Sequence, residues 1–420
     1  MQEIFIVDGK RTPFLKAKAI PFSLAAADLA VITMQNLLDN LPIIASDIDQ
    51  VVLGCVAPGA SEANIARIAG LRSGCKTEVV AYTVQRNCGS GLQAIDSAAK
   101  DIMLGLHNLV LAGGTEVMSR MPFLFSDEVV AWLAEFKKNT SVLKKICCLK
   151  DLQLKYLKPI FSLINGLSDP IIGLSMGQTA EKLAFQYNVS RHRMDEFALR
   201  SHSLASIAMN NQSFTEELVP IVDWSGKTYL EDDGVRKDSS LDKLAKLKPV
   251  FDFPFGNITA GNSSQISDGA AVVLLASKQA VKQYGLSPKA KIVSIAWSAL
   301  DPSIMGLGPA YAIEKILKER KITLKDIDLV EINEAFAGQV LACQDFFKTS
   351  VYGELTSNKL NIHGGAISLG HPVAASGARI VLHLANVLNK TKARLAIGSL
   401  CVGGGQGGAV LLERVEGVVE

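Results

Sequence analysis

The sequence contains no Cys-x-x-Cys pair and no histidines clustered at zinc-ligand spacing, so no metal site is expected. Its seven cysteines, at 55, 75, 88, 147, 148, 343 and 401, are odd in number and scattered. That argues against a disulfide framework and for free thiols in a reducing compartment. No run approaches the roughly 18 to 20 apolar residues that spanning a bilayer requires. A basic leader before an apolar stretch is also missing: Met1-Gln2-Glu3-Ile4-Phe5-Ile6-Val7-Asp8 reads as a first strand running into Gly9-Lys10-Arg11-Thr12-Pro13. The expected location is cytoplasmic, or mitochondrial if a transit peptide has been removed. Charge of one sign is lacking too, since 43 basic and 41 acidic residues leave a formal +2, which gives no global footprint for nucleic acid.

What is present is enough chain for two or three domains, because 420 residues exceed one ordinary core. Apolar residues at 48%, charged residues at 20% and 34 glycines fit a compact α/β protein rich in tight turns. Short apolar runs such as Val51-Val52-Leu53-Gly54 and Leu109 to Gly114 alternate with helical patterns such as Leu92 to Met103, which implies a mostly buried sheet covered by helices. The sequence also echoes itself. Asp47-Ile48-Asp49-Gln50-Val51-Val52 returns as Asp326-Ile327-Asp328-Leu329-Val330-Glu331, and Ser90-Gly91 before a helix and a glycine-ending strand returns as Ser376-Gly377 before another. Two echoes in the same order suggest a duplicated α/β unit.

Between roughly 120 and 250 the alternation stops and charged helical patterns take over, as expected of an inserted domain. Within it, residues 136–165 hold seven lysines and one acid, Asp151, interleaved with apolar residues from Leu143 to Phe161. Such a stretch reads as a helical pair with a solvated lysine face, or as a docking surface for an anionic membrane or a partner protein. Cys147 and Cys148 within it read as structural.

Four segments can carry chemistry. Gln85-Arg86-Asn87-Cys88-Gly89-Ser90-Gly91 places Cys88 between a strand-like run and a helix, where free N–H groups and the positive dipole end favour thiolate over thiol. Asn361 to Pro372 is a glycine-dense loop, of a kind that brings backbone to a ligand, and it offers His363 and His371 as bases able to activate a thiol near neutral pH. The place of His371 beside Pro372 favours it, and a structural hydrogen bond suits His363. His107, His192, His202 and His383 fall on helical patterns and read as surface or packing residues. Cys401-Val402-Gly403-Gly404-Gly405 leaves a strand into a glycine turn whose N–H groups could bind an oxyanion; no Lys-Ser or Lys-Thr follows, so it is not a P-loop. Glu331 to Ala337 sets polar side chains, Asn333 among them, at a strand end before a helix, a position that commonly faces ligands.

Together, Asn87-Cys88-Gly89-Ser90-Gly91, Gly113 to Ser119, Asn333-Glu334-Ala335-Phe336, Gly370-His371-Pro372 and Cys401 to Gly405 resemble the thiolases, in that family's order from end to end. The resemblance implies a duplicated α/β core in five layers, α-β-α-β-α, with an inserted loop domain. Its expected parts are residues 1–119 with 251–285, the loop domain 120–250 for substrate and coenzyme A, and 286–420. It also implies roles: Cys88 as nucleophile, His371 as its base, Cys401 as the acid and base at the α-carbon. Asn333 with His371 would form one oxyanion hole, and the N–H groups of Cys88 and Gly403 another. Ser264, Ala260 and Gly261 match the pantetheine-contacting segment, and Met176 and Phe336 would wall the acyl channel. This chain has Ser175 where some relatives have histidine and His363 where many have asparagine.

By resemblance the activity is ping-pong cleavage of a 3-ketoacyl-CoA by coenzyme A in fatty-acid β-oxidation, with condensation of two acetyl-CoA molecules as the alternative. No cofactor beyond coenzyme A as substrate is implied. The basic insert and Lys248-Pro249-Val250-Phe251-Asp252 resemble the β chain of fatty-acid oxidation complexes, which implies an α-chain partner and peripheral membrane contact through 136–165. Asn333 stands where that group usually has histidine. A homodimer or homotetramer is expected. A ketosynthase would lack the second cysteine in its glycine turn, and a silent scaffold relative would have lost Cys88, His371 or Cys401.

Overall fold

The computed structural model describes residues 2–18 and 22–416. Nine strands run through one sheet: β1 (Ile4–Arg11), β2 (Gln50–Gly54), β3 (Val80–Val84), β4 (Leu109–Val117), β5 (Ser267–Ser277), β6 (Ala290–Ala299), β7 (Leu329–Ile332), β8 (Leu395–Val402) and β9 (Gln406–Arg414). Their spatial order is β7-β8-β9-β6-β1-β5-β4-β2-β3, with Leu15–Lys16 pairing beside β5. Eight helices pack on it: α1 (Ala26–Asp39), α2 (Ile65–Arg72), α3 (Ser90–Met103), α4 (Met176–Gln186), α5 (Arg191–Asn210), α6 (Gly308–Arg320), α7 (Ala337–Lys348) and α8 (Ser376–Lys390).

The duplication read from the two echoes is written in this order. In the first half β2 pairs β4 in parallel, β4 pairs β5 antiparallel and β5 pairs β1 antiparallel. In the second half β7, β8, β9 and β6 repeat the same senses in the same sequence. The place of β3 is taken by Leu360, which bridges Val330 in parallel. The two half-sheets join through β1 and β6, at Phe5 with Lys291 and Ile6 with Ala290.

Strands covered on both faces are apolar throughout, and β5 is buried along its whole length. Alternate residues serve different cores: Ala270, Val272 and Leu274 pack toward α1 and α2, while Ala271, Val273 and Leu275 pack toward a central layer. That layer is α3 and α8, held between the half-sheets, and α6 and α7 cover the far side. The order is therefore helix, sheet, helix, sheet, helix. Helix α8 is buried from Ser376 to Leu388, as a helix with no solvent face must be. Its crossing with α3 is a backbone contact. A Cβ on Gly91 would lie 2.5 Å from Ala374 O, and one on Gly377 would lie 2.7 Å from Leu92 N.

The stretch 120–250 divides physically. Helices α4 and α5 send Leu183, Ala184, Met194 and Phe197 into the core of the second half. Residues 121–168 instead bury only Val129 fully, and their helices Asp127–Lys138 and Val142–Asp151 pack mainly on each other. Cys147 is exposed and Cys148 half-buried, its sulfur 3.2 Å from Asn139 Nδ2.

A buried ionic chain ties the segments together. Arg11, fully buried, bonds Glu217 at 2.7 Å and Asp232 at 2.7 and 2.9 Å; Glu217 then meets His383 Nδ1 at 3.0 Å, and His383 Nε2 meets His363 Nδ1 at 3.0 Å. His383 and His202 are thus interior residues, packing positions and not surface ones. His107 lies in the loop after α3 and not on a helix. Among the described residues no helix is long and apolar enough to cross a membrane, and no cluster of His, Cys, Asp and Glu could hold a metal.

Candidate active site

Cys88 sits in a strand–turn–helix elbow made from β3 and α3. Asn87 takes a left-handed conformation, φ 43°, which asparagine tolerates better than most residues. Ser90 closes the turn, its Oγ accepting Arg86 N–H at 2.8 Å and donating to Asn87 O at 2.7 Å. The helix begins at Ser90 with Gly89 as its cap, so the nucleophile candidate does lie at a helix N-terminus. The glycine turn after Cys401 meets this elbow: Asn87 Nδ2 donates to Gly403 O at 2.9 Å, and the backbone N–H groups of Gly403 and Cys88 both favour the ionised form of the Cys88 sulfur.

His371 arrives from the loop that starts at Asn361. Its Nδ1 lies 2.6 Å from Ser376 Oγ, and that hydroxyl donates to Pro372 O at 3.1 Å. Nδ1 therefore carries the proton and Nε2 keeps its lone pair for the site. Asn333, just past β7, brings Nδ2 within 3.4 Å of Nε2, while its buried Oδ1 has no protein partner. Glu334 next to it fastens the loop: it accepts Ser201 Oγ at 2.6 Å, Asn361 Nδ2 at 2.8 Å and Ile367 N–H at 3.2 Å. A Cβ on Gly365 would lie 2.5 Å from the Glu334 carboxyl carbon. Glycine there makes room for a protein carboxylate, and not for a ligand as the sequence suggested.

The electrostatics differ from the sequence expectation. Cys88 keeps a partly exposed surface, yet protein encloses its sulfur, and that desolvation pushes the thiol up to about 11 against the pull of the two N–H groups. Burial outweighs the helix end, so the resting group is a thiol and not a thiolate. Burial, helped by Arg379, lowers His371 to about 4, so the imidazole is neutral at physiological pH. Cys401, buried on β8, is raised well above the ordinary thiol range by desolvation and by the neighbouring Cys88 and Cys343. Burial likewise raises Glu116 to about 7, and its carboxylate accepts Val56 N–H at 2.9 Å and Ala57 N–H at 3.0 Å.

A cavity of about 820 Å³ opens beside this group. His371, Met176, Phe336, Ala260, Gly261 and Ser264 all line it. Asn262 shapes the Thr259 to Ser264 segment, accepting Thr259 N–H at 2.8 Å and donating to Asp195 at 3.0 Å. Ser264 N–H donates to Ala335 O at 2.9 Å. Ser175 caps α4, accepting Gln178 N–H at 3.3 Å. Cys88, Cys401, Asn333 and Gly403 are not among the cavity's lining residues and stand behind His371 and Met176; Met176 Sδ lies 3.3 Å from where a Cβ on Gly403 would be. His363 is elsewhere, committed to His383. Lys16, Arg236 and Lys243 also line the cavity; single lysines and arginines far apart in sequence gave no signal. Ser376 was legible as the echo of Ser90, though not as the histidine's partner.

Two family models cover almost the whole chain, the thiolase N-terminal domain over residues 4–279 and the thiolase C-terminal domain over 286–414. The chain belongs to the thiolase family and is an acyltransferase of that family. Mitochondrial 3-ketoacyl-CoA thiolase of Rattus norvegicus is 39% identical over 417 residues, 98% of each chain. Among solved structures, acetyl-CoA acetyltransferase of Bacillus anthracis superposes with a TM-score of 0.87 at 37% identity, over 99% of both chains. Human mitochondrial 3-ketoacyl-CoA thiolase in complex with CoA gives 0.87 at 36%, over 99% of this chain and 98% of that one.

Proposed function

We propose that the protein is a degradative thiolase that cleaves 3-ketoacyl-CoA with coenzyme A, releasing acetyl-CoA and a shortened acyl-CoA. The observation that carries this reading is the cavity leading to His371, lined by apolar side chains that include Ile164, Leu167, Leu247, Val250 and Phe251. The pantetheine arm of coenzyme A would cover part of that surface, and a longer acyl chain would use the remainder that an acetyl group leaves uncovered. Lys16, Arg236 and Lys243 supply cationic partners suited to the phosphates of coenzyme A. The CoA complex of the human relative supports the same ligand class.

In this scheme His371 Nε2 takes the Cys88 proton as sulfur attacks the 3-keto carbon. The bond between C2 and C3 breaks, its electron pair moves to C2, and the acyl group remains on sulfur as a thioester. The resulting acetyl-CoA enolate oxygen is held by His371 and by Asn333, whose unpartnered Oδ1 suits a bridging water. Cys401, kept protonated by burial, gives its proton to C2 and acetyl-CoA leaves. The thiol of a second coenzyme A then loses its proton to Cys401 and attacks the thioester, whose oxyanion meets the N–H groups of Cys88 and Gly403. Cys88 leaves as the thiol, reprotonated by His371. The groups transferred are already activated by coenzyme A, so the scheme requires no metal or redox cofactor.

The test compares kcat/KM for coenzyme A-dependent thiolysis of acetoacetyl-CoA and of a long-chain 3-ketoacyl-CoA. A long-chain preference is expected. Preference for acetoacetyl-CoA would support the acetyl-CoA C-acetyltransferase reading, and activity on neither would defeat both.

A further inference from the structure

We propose that the buried ion pair between Glu331 and Arg379 is a positioning device that fixes the spacing between Asn333 and His371, the two groups that hold the enolate oxygen in the proposed mechanism. The inference rests on that mechanism and adds to it two residues that touch no substrate. Glu331 lies on β7 and Arg379 on α8; they are 3% and 2% exposed, and Arg379 Nη1 donates to Glu331 Oε1. Among the described residues this is the one side-chain hydrogen bond between that strand and that helix.

Each partner stands a short step from one member of the site. Glu331 comes two residues before Asn333, and side chains two apart in extended backbone leave on the same face. The ladder continues through that step, because Asn333 N–H donates to Ser399 O at 2.9 Å. Arg379 comes three residues after Ser376, on the same face of α8, and Ser376 Oγ holds His371 Nδ1 at 2.6 Å. The contacts close a ring that runs from Asn333 through Glu331, Arg379, Ser376 and His371 back to Asn333, where Asn333 Nδ2 and His371 Nε2 stand 3.4 Å apart. That last, longest link is the place for the enolate oxygen, and the other links set its width.

Stability alone gives little reason for the pair. Desolvating two charges offsets most of what their attraction returns, and well-packed apolar residues of similar size commonly do as well. Arg379 also leaves its buried Nε without a partner, so the pair is not fully satisfied where it stands. What it supplies and a hydrocarbon contact does not is direction, one charged donor on one charged acceptor. Burial and then the Arg379 charge push His371 down, so the guanidinium is close enough to the imidazole to favour negative charge that develops beside it.

The experiment replaces both partners at once, Glu331→Leu with Arg379→Met, so that no charge is stranded. Its urea midpoint should lie at or above that of the wild type. Loss of a direct oxyanion donor costs about 10² to 10³ in kcat, and loss of its support should lower kcat for acetoacetyl-CoA thiolysis by about tenfold or more. KM should stay near the wild-type value, the pattern of an interaction made only in the transition state. Acylation of Cys88 by acetyl-CoA, followed by mass spectrometry, relies on the N–H groups of Cys88 and Gly403 instead and should fall by a smaller factor. Arg379→Lys, which keeps the cation, should keep most of the wild-type kcat. Wild-type kcat in the double variant overturns the proposal. So does a fall in acylation equal to the fall in cleavage, which would mark a merely structural pair. Should the double variant not fold, Glu331→Gln with Arg379→Gln meets the same two comparisons. Every arm uses acetoacetyl-CoA or acetyl-CoA, so a missing long-chain preference would defeat the degradative reading and leave this result standing.

Discussion

A thiol that burial holds near 11 and an imidazole that burial holds near 4 make a neutral pair at physiological pH. In the proposed mechanism the nucleophile is therefore generated during attack, by proton transfer from Cys88 to His371, and does not stand ready as a thiolate. Because His371 must be neutral to accept that proton, acylation of Cys88 by acetyl-CoA should persist down to about pH 5 and should fall as the imidazole protonates below that. Loss of acylation below the ordinary histidine value of about 6.5 that persists in the Glu116→Gln variant would contradict this electrostatic picture. Mass spectrometry should find the acetyl adduct on Cys88 and none on the Cys88→Ala variant. His371→Ala should lower kcat/KM by about 10² to 10⁴. Cys88 and His371 were legible as candidates because each stands in a dense local motif, and their roles were legible only through the thiolase resemblance. Their ionisation was not, because desolvation depends on which other elements close over the sulfur, and no local pattern records that.

At the scale of elements, the site is made where two helix starts cross. Gly91 and Gly377 let α3 and α8 touch through backbone, which brings the Cys88 elbow against the turn that carries His371. A methyl group there must push the helices apart. Gly377→Ala should cost about 1 to 3 kcal/mol in stability, read as a lower urea midpoint, and should reduce acylation as well. An unchanged midpoint would mean that the crossing yields without strain. The sequence showed both helix starts and their echo, and so anticipated paired elements. It misjudged Gly365 of the His371 loop, because whether a missing side chain admits a ligand or the Glu334 carboxyl is decided by a residue from the distant turn just past β7.

At the scale of the whole molecule, three cores in five layers leave neither half able to cover its own sheet without α3 and α8 together. Strand alternation and internal echoes pointed to a helix-covered sheet and a duplicated unit, since both are properties of the chain's own periodicity; the five layers were legible only through the thiolase resemblance. The ionic chain from Arg11 to His363 was not readable, because its members come from β1, the inserted stretch, α8 and the His371 loop. Removing its central cation would strand two buried carboxylates. Arg11→Met should destabilise the fold by about 3 to 5 kcal/mol in urea unfolding; a loss under about 1 kcal/mol would show that Glu217 and Asp232 find other partners. The chain is acid-sensitive in a definite sense. Through its pairing with His383 and Arg11, Glu217 is held well below the usual carboxylate range despite burial, so its stabilising contribution is present above its unfolded value and is lost as pH falls through the folded one. The repeat has one more consequence. Ser90 and Gly91 answer to Ser376 and Gly377, so the counterpart of Cys88 two residues earlier is Ala374. Where the two related units meet, one therefore presents a sulfur and the other a methyl group. In the proposed mechanism a molecule with two related halves consequently carries one acyl thioester and not two, and the second half supplies His371 and Cys401 to move protons.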